Sequence, residues 1–192
     1  VVWVSNGQDG SGYGVFGRRF DASGTPQGSE FQVNSYTTSF QVFPTVALDA
    51  SGNFVVVWYS EIQDGSGDGV FGQRYDAAGV SLGGEFQINT FTTGDQGYPA
   101  VATDPQGNFV VVWVSSGEDG DSYGIFGQRY DAVGGRLGFE FQINAYTTAN
   151  QDAPAVGMNP QGNFVVVWRS GGQDGSGGGI FGQRYGGLIP AA

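Results

Sequence analysis

The chain has no cysteine, no histidine and no lysine. Without cysteine there is neither a disulfide framework nor a thiolate metal site. Without histidine or cysteine, the usual nucleophile–base pairs of covalent catalysis are missing. The seven cationic residues are all arginine and face 18 acidic ones, for a net charge of −11. Phosphate recognition needs clustered cations, so this balance argues against a nucleic-acid partner and against an anionic membrane surface. No apolar run is long enough to span a bilayer, so no membrane insertion is expected, and no signal peptide is present. Helical periodicity is absent too: apolar residues either run continuously or alternate with period two.

What the chain does have is repetition. Gly-Asn-Phe-Val-Val-Val-Trp stands whole at Gly52 to Trp58, Gly107 to Trp113 and Gly162 to Trp168, and a shortened copy, Val1-Val2-Trp3, opens the sequence. The tryptophans Trp3, Trp58, Trp113 and Trp168 are 55 residues apart, with no insertion or deletion between copies. Asp9, Asp64, Asp119 and Asp174 keep the same step, as do Arg19, Arg74, Arg129 and Arg184, and Glu30, Glu85 and Glu140. A fixed period of this size signals stacked supersecondary units. The 36 glycines fit repeated tight turns.

One full unit reads as four strands. Pro44 to Asp49 is a short first strand and Ala50 to Asn53 a turn. Phe54 to Tyr59 is a second strand with apolar side chains on both faces, which must therefore be covered on both sides. Val70 to Asp76 and Glu85 to Asn89 alternate and form the third and fourth strands. The expectation is an all-β chain of tandem four-stranded antiparallel units, arranged as β-propeller blades or a propeller-like open stack, with a β-solenoid as the alternative. Immunoglobulin-like sandwiches need about 100 residues each, too many for one unit. The units span approximately 1–43 (partial), 44–98, 99–153 and 154–185 (partial), in one repeat domain with a non-repeat tail at 186–192. The first unit lacks its first strand and the last its fourth, which reads as a piece of a longer chain, or as copies that complete one another in a ring or fibre.

Three groups of residues are candidates for function. The loop Asp64-Gly65-Ser66-Gly67-Asp68-Gly69 places oxygen side chains at alternate positions, as a loop wrapping calcium does. Its copies begin at Asp9, Asp119 (with Asp121) and Asp174, and the other reading is a solvated turn in which aspartate caps backbone amides. The arginine and glutamate sets are expected to pair across the third and fourth strands. Tyr13 and Tyr123, in the loops of Asp9 and Asp119, are candidate surface platforms for sugar with Asp64 and Asp119 as polar partners, as is Tyr59, whereas the tryptophans read as packing between units. Every acid in the repeated set has a copy one period away, which argues against a single asymmetric catalytic constellation, although carboxylate pairs for glycoside hydrolysis are available.

The run Gln63-Asp64-Gly65-Ser66-Gly67-Asp68-Gly69-Val70-Phe71-Gly72-Gln73-Arg74-Tyr75-Asp76, followed by Gly84-Glu85-Phe86-Gln87-Ile88-Asn89, resembles the Gly/Asp-rich tandem repeats of large bacterial secreted and cell-surface proteins. The Asp-rich loop and Phe71-Gly72 are also similar to FG-GAP propeller repeats, with a different order of elements. The resemblance implies an extracellular or cell-surface repeat protein with a binding or scaffolding role. The sequence expectation is thus a non-enzymatic module that binds a glycan or a surface protein through equivalent loops. A self-assembling structural subunit and a glycan-active enzyme are the alternatives.

Overall fold

The computed structural model describes residues 1–186, so most of the expected tail lies outside the described residues. Fourteen strands and no helix make up this part. The first unit holds β1 (Val2–Asn6), β2 (Tyr13–Gly17) and β3 (Phe31–Gln32); the second holds β4 (Gln41–Leu48), β5 (Phe54–Glu61), β6 (Asp68–Tyr75) and β7 (Phe86–Gln87). The third holds β8 (Gln96–Thr103), β9 (Phe109–Ser116), β10 (Tyr123–Tyr130) and β11 (Phe141–Gln142); the last holds β12 (Gln151–Met158), β13 (Phe164–Gly171) and β14 (Gly178–Tyr185). Each unit is an antiparallel sheet in chain order, as in β4-β5-β6-β7. The first strands β4, β8 and β12 lie beside one another, so the sheets fan out from an axis in a β-propeller-like arrangement.

Local chemistry sets these boundaries. The turn before β5 closes on Asp49, whose Oδ1 accepts the amides of Ser51 (2.8 Å) and Asn53 (2.9 Å), while Gly52 takes a φ of 85°. Pro44 has no N–H for the ladder, and the register of β4 against β5 shifts between Val42 and Thr45. The first strand therefore starts three residues earlier than the proline, with a bulge inside it. The fourth strand is much shorter than Glu85 to Asn89, because the Asn89 side chain takes over the ladder: its Oδ1 accepts the Val70 amide at 2.8 Å.

The units are joined by apolar packing between sheets. Trp58 and Val56 pack with Val15 and Val33 of the unit before, and Val55 and Val57 pack with Phe109, Val111 and Trp113 of the unit after. The same step repeats when Val110, Val112 and Val114 meet Phe164, Val166 and Trp168. Each tryptophan thus looks backward along the chain and each odd-numbered valine of the second unit looks forward. The last unit shows the pattern by default: Val166 is buried, while Val165 and Val167 are 41% and 40% exposed.

The expected pairing of arginine with glutamate inside one sheet is corrected by the structure. Arg74 reaches forward and donates to the carbonyl oxygens of Ala132 (2.7 Å) and Val133, and Arg19 donates to that of Ala77. Glu85 reaches backward, accepting from the amide (2.7 Å) and hydroxyl (3.0 Å) of Ser35. Backbone groups one unit away outcompete a salt bridge because they are left over at the turns and sit within reach of each side chain. Among the described residues the salt bridge is Arg169–Asp152. No helix there is long and apolar enough to cross a membrane.

Candidate functional site

The β5–β6 loop, the bulge of the first strand and the segment that precedes it all lie at one end of the sheets. Within the loop, Asp64 Oδ1 accepts the Ser66 amide (3.1 Å) and its Oδ2 accepts from Asn89 Nδ2 (3.3 Å). Asn89 also donates to Phe91 O (2.8 Å) and Gln96 Oε1 (3.1 Å), so one buried amide ties the loop to two strands. A Cβ at Gly69 would lie 2.6 Å from Asp64 Oδ2, which is why glycine closes the loop. Asp9 and Asp119 repeat the arrangement with Asn34 and Asn144, and Asp174 accepts the Ser176 amide.

These contacts bear on the calcium expectation. Asp9, Asp64, Asp119 and Asp174 turn into their own loops, Ser66 joins through its amide, and Asp121 accepts the Ala149 amide (3.0 Å). Among the described residues no group of three or more acidic side chains is placed to hold a metal ion. The geometry matches the turn-capping reading of the loops. Tyr13 packs on Phe40, ring centroids 5.5 Å apart, in the loop of Asp9.

Asp68 and Tyr123 do come together. They line a cleft of about 420 Å³ with Tyr59, Asp95, Tyr98 and Asp152. Asp68 and Glu61 are cross-strand partners on β6 and β5, and the Asp68 amide donates to Asp95 Oδ1 at 3.3 Å. Burial pushes the Asp68 carboxyl up to about 6, with help from the negative charges of Asp95, Glu61 and Asp64. Burial, with the charges of Asp68, Tyr98, Asp95 and Glu61 added, raises the Tyr59 phenol to about 12, so it stays a hydrogen-bond donor. Across the cleft, Arg169 donates to both carboxylate oxygens of Asp152, with Nε at 2.8 Å from Oδ1. One carboxyl is thus raised by burial while another is held in an ion pair.

Asp95, Tyr98, Asn150 and Asp152 were not among the sequence candidates. The signal that marks them is a break in the repeat. Asp68 stands where other units have Tyr13, Tyr123 and Gly178; Asp95 where they have Phe40 and Asn150; Asp152 where they have Val42 and Gly97. Tyr59 likewise replaces Val4, Val114 and Arg169.

No protein-family model matches the chain, and no curated protein matches it. Solved structures do. An α-L-arabinanase of Penicillium chrysogenum, determined with arabinobiose, aligns over 88% of this chain and 54% of its own at 12% identity and a TM-score of 0.56. An endo-arabinase of Bacteroides thetaiotaomicron aligns over 88% and 69% at 13% identity and a TM-score of 0.49. A fucose lectin of Kordia zhangzhouensis, in complex with methyl-fucoside, aligns over 71% and 97% at 15% identity and a TM-score of 0.40. The chain therefore spans about half the length of the arabinanase it resembles, and the likeness shows a β-propeller-like fold.

The expectation of a non-enzymatic module acting through equivalent loops is corrected here. The solved structure that shares this fold at a TM-score of 0.56 is an enzyme, so a sheet array of this kind is compatible with catalysis. The loops are also not equivalent. Asp68, Asp95 and Asp152 have no acidic copies one period away, so the objection from repetition does not apply to them.

Proposed function

We propose that this chain is part of a glycan-active β-propeller enzyme, a glycoside hydrolase working in the cleft between the second, third and last units. The observation that carries the reading is Asp68: an acid without a repeat copy, raised to about 6, facing a cleft lined by Tyr59, Tyr98 and Tyr123. Sugars present apolar ring faces and hydroxyl edges, and tyrosines beside carboxylates and amides match both. Asp68 is assigned the role of general acid and Asp152, paired with Arg169, that of the second carboxyl group. The likeness to an arabinanase makes arabinan the first substrate to try. An extracellular location, where polymeric glycans are met, belongs to the same proposal.

The test is release of reducing ends from arabinan and from a panel of other neutral polysaccharides by the whole chain. Asp68→Asn is expected to lower the rate by about a hundredfold or more, the range of a lost general acid. The sign of the pH dependence follows from the raised carboxyl: Asp68 holds its proton below about 6, so activity falls as pH rises through that value. Release at an equal rate by the Asp68→Asn variant, or none from any polysaccharide, would sink the assignment.

Self-association is proposed on a separate observation. Val165, Val167 and Ile180 occupy the face that the second and third units bury against a following unit, and here all three are exposed. A further copy of the same unit fits that face, and sedimentation of the chain reads whether a second copy supplies it.

A further inference from the structure

We infer that the site takes a neutral oligosaccharide several residues long, laid from the cleft across the axial end of the sheets, with Phe43 as a second platform one unit away from Tyr98. The inference rests on the cleft being a glycan site.

The first ground is where Phe43 and Tyr98 stand. They are copies of one another, 55 residues apart, and each precedes the proline of its bulge. Both adopt the left-handed region, with φ of 53° and 52°. That conformation costs of order 1–3 kcal/mol for a non-glycine residue and is disfavoured further before proline. It turns the side chain out of the sheet toward the axis. Ala153, the third copy, has a φ of 51°, so the backbone shape belongs to the repeat while the aromatic rings belong to two units only.

The second ground is exposure. Phe43 meets Tyr98 edge-on at 4.9 Å and lies parallel to Tyr59 at 5.5 Å, which fixes its ring. Yet Phe43 and Tyr98 remain 53% and 54% exposed. The half of each ring left facing water adds nothing to packing between units and is the kind of patch that marks a binding surface.

The third ground is continuity. A hollow of about 310 Å³, lined by Phe43, Pro44, Tyr98, Pro99, Ala153 and Pro154, adjoins the cleft and shares Tyr98 and Ala153 with it. The small side chain of Ala153 leaves the passage open beside Asp152. A single sugar would fill part of this space, whereas a chain would engage Tyr98 in the cleft and Phe43 beyond it. Asp68, Asp95 and Asp152 line the cleft, with Glu61 opposite Asp68 on the neighbouring strand and Arg169 paired with Asp152, a net negative surround that repels uronate-bearing chains and leaves neutral ones.

The experiment is calorimetric titration of the whole chain with neutral arabino-oligosaccharides of increasing length, and with oligogalacturonate of matching lengths. Affinity is expected to rise by about tenfold from the disaccharide to the longer neutral oligomers, as one further aromatic face engages, and the anionic series is expected not to bind. Phe43→Ala places at this bulge the residue that Ala153 already has, so the fold is kept. It should reduce the affinity of the long oligomers to that of the disaccharide and leave the disaccharide unchanged. Binding of every neutral oligomer with the same affinity, or an unaltered length dependence in Phe43→Ala, overturns this inference and leaves the cleft reading standing. Tighter binding of oligogalacturonate overturns the choice of a neutral chain, and binding of no oligomer overturns both readings.

Discussion

Glu118 offers a perturbation with internal controls. In the first two units, Gln8 Nε2 donates to Glu30 and Gln63 Nε2 donates to Glu85. The third unit has Glu118 at this position, opposite Glu140, while the other oxygen of Glu140 accepts from the amide and hydroxyl of Thr90 in the preceding unit. The amide donor is gone, so two carboxyls meet and one proton must lie between them. Burial above all, with the contact to Glu140 and the charges of Glu140 and Asp119 added, pushes Glu118 up to about 8 from an ordinary 4.5, against an opposing hydrogen bond from Ser115. A carboxyl raised in the folded state keeps a proton that the unfolded chain has released. The contribution of Glu118 to stability is therefore fully present below pH 4.5 and is lost as pH rises toward 8. A tenfold difference in proton affinity between the folded and unfolded chain is worth about 1.36 kcal/mol before screening. Glu118 is only partly buried, and solvent screening brings the loss to about 1–2 kcal/mol. For a chain of this size that is about 2–8 °C in melting temperature. Scanning calorimetry at pH 5 and pH 9 is the assay. Glu118→Gln should match the wild type at pH 5 and melt higher at pH 9, while Gln63→Glu should melt lower at pH 9. Parallel pH dependence in wild type and Glu118→Gln would refute the shared-proton account.

Two further changes probe the links within and between units. Asn89→Ala leaves the Val70 amide and Gln96 without their buried partner and should reduce stability by about 2–3 kcal/mol in urea unfolding, whereas a loss below the error of the fit would show that the node is replaceable. Arg74→Ala removes two hydrogen bonds to Ala132 and Val133 and should cost about 1–2 kcal/mol, with faster amide exchange at the turn that holds those residues as the local readout.

The stacking of units was legible because it is written several times over. Phe54 to Trp58 has no polar break, and only neighbours on both faces can cover it; Val55, Val56, Val57 and Trp58 are in fact buried. The strand ends were less legible, because side chains intervene there. Nothing in Glu85 to Asn89 announces that Asn89 will take the Val70 amide and end the ladder. The Arg74 and Glu85 contacts were misjudged for a related reason. Within one unit they look like partners, but each finds leftover backbone groups in the adjacent unit, and those positions follow from the fan of the sheets.

The candidate site was hidden by the same regularity that revealed the fold. Residues that recur in every unit are those every unit needs in order to close its loops and pack on its neighbours. Asp64 and its copies recur because each caps a turn, with a glycine packed against its carboxylate. A reading that follows recurrence therefore gathers the turn aspartates, takes in Asp68 and Tyr59 only as members of the loop and aromatic sets, and passes over Asp95 and Asp152. Asp68, Asp95, Asp152 and Tyr59 are exceptions, each standing where its copies have other chemistry. Stacking does not require them, and Asp68 and Asp95 are acids set close together in an already acidic chain, where their repulsion works against folding. The convergence of these exceptions on one cleft, from the second, third and last units, is the physical ground for placing function there rather than in the repeated loops.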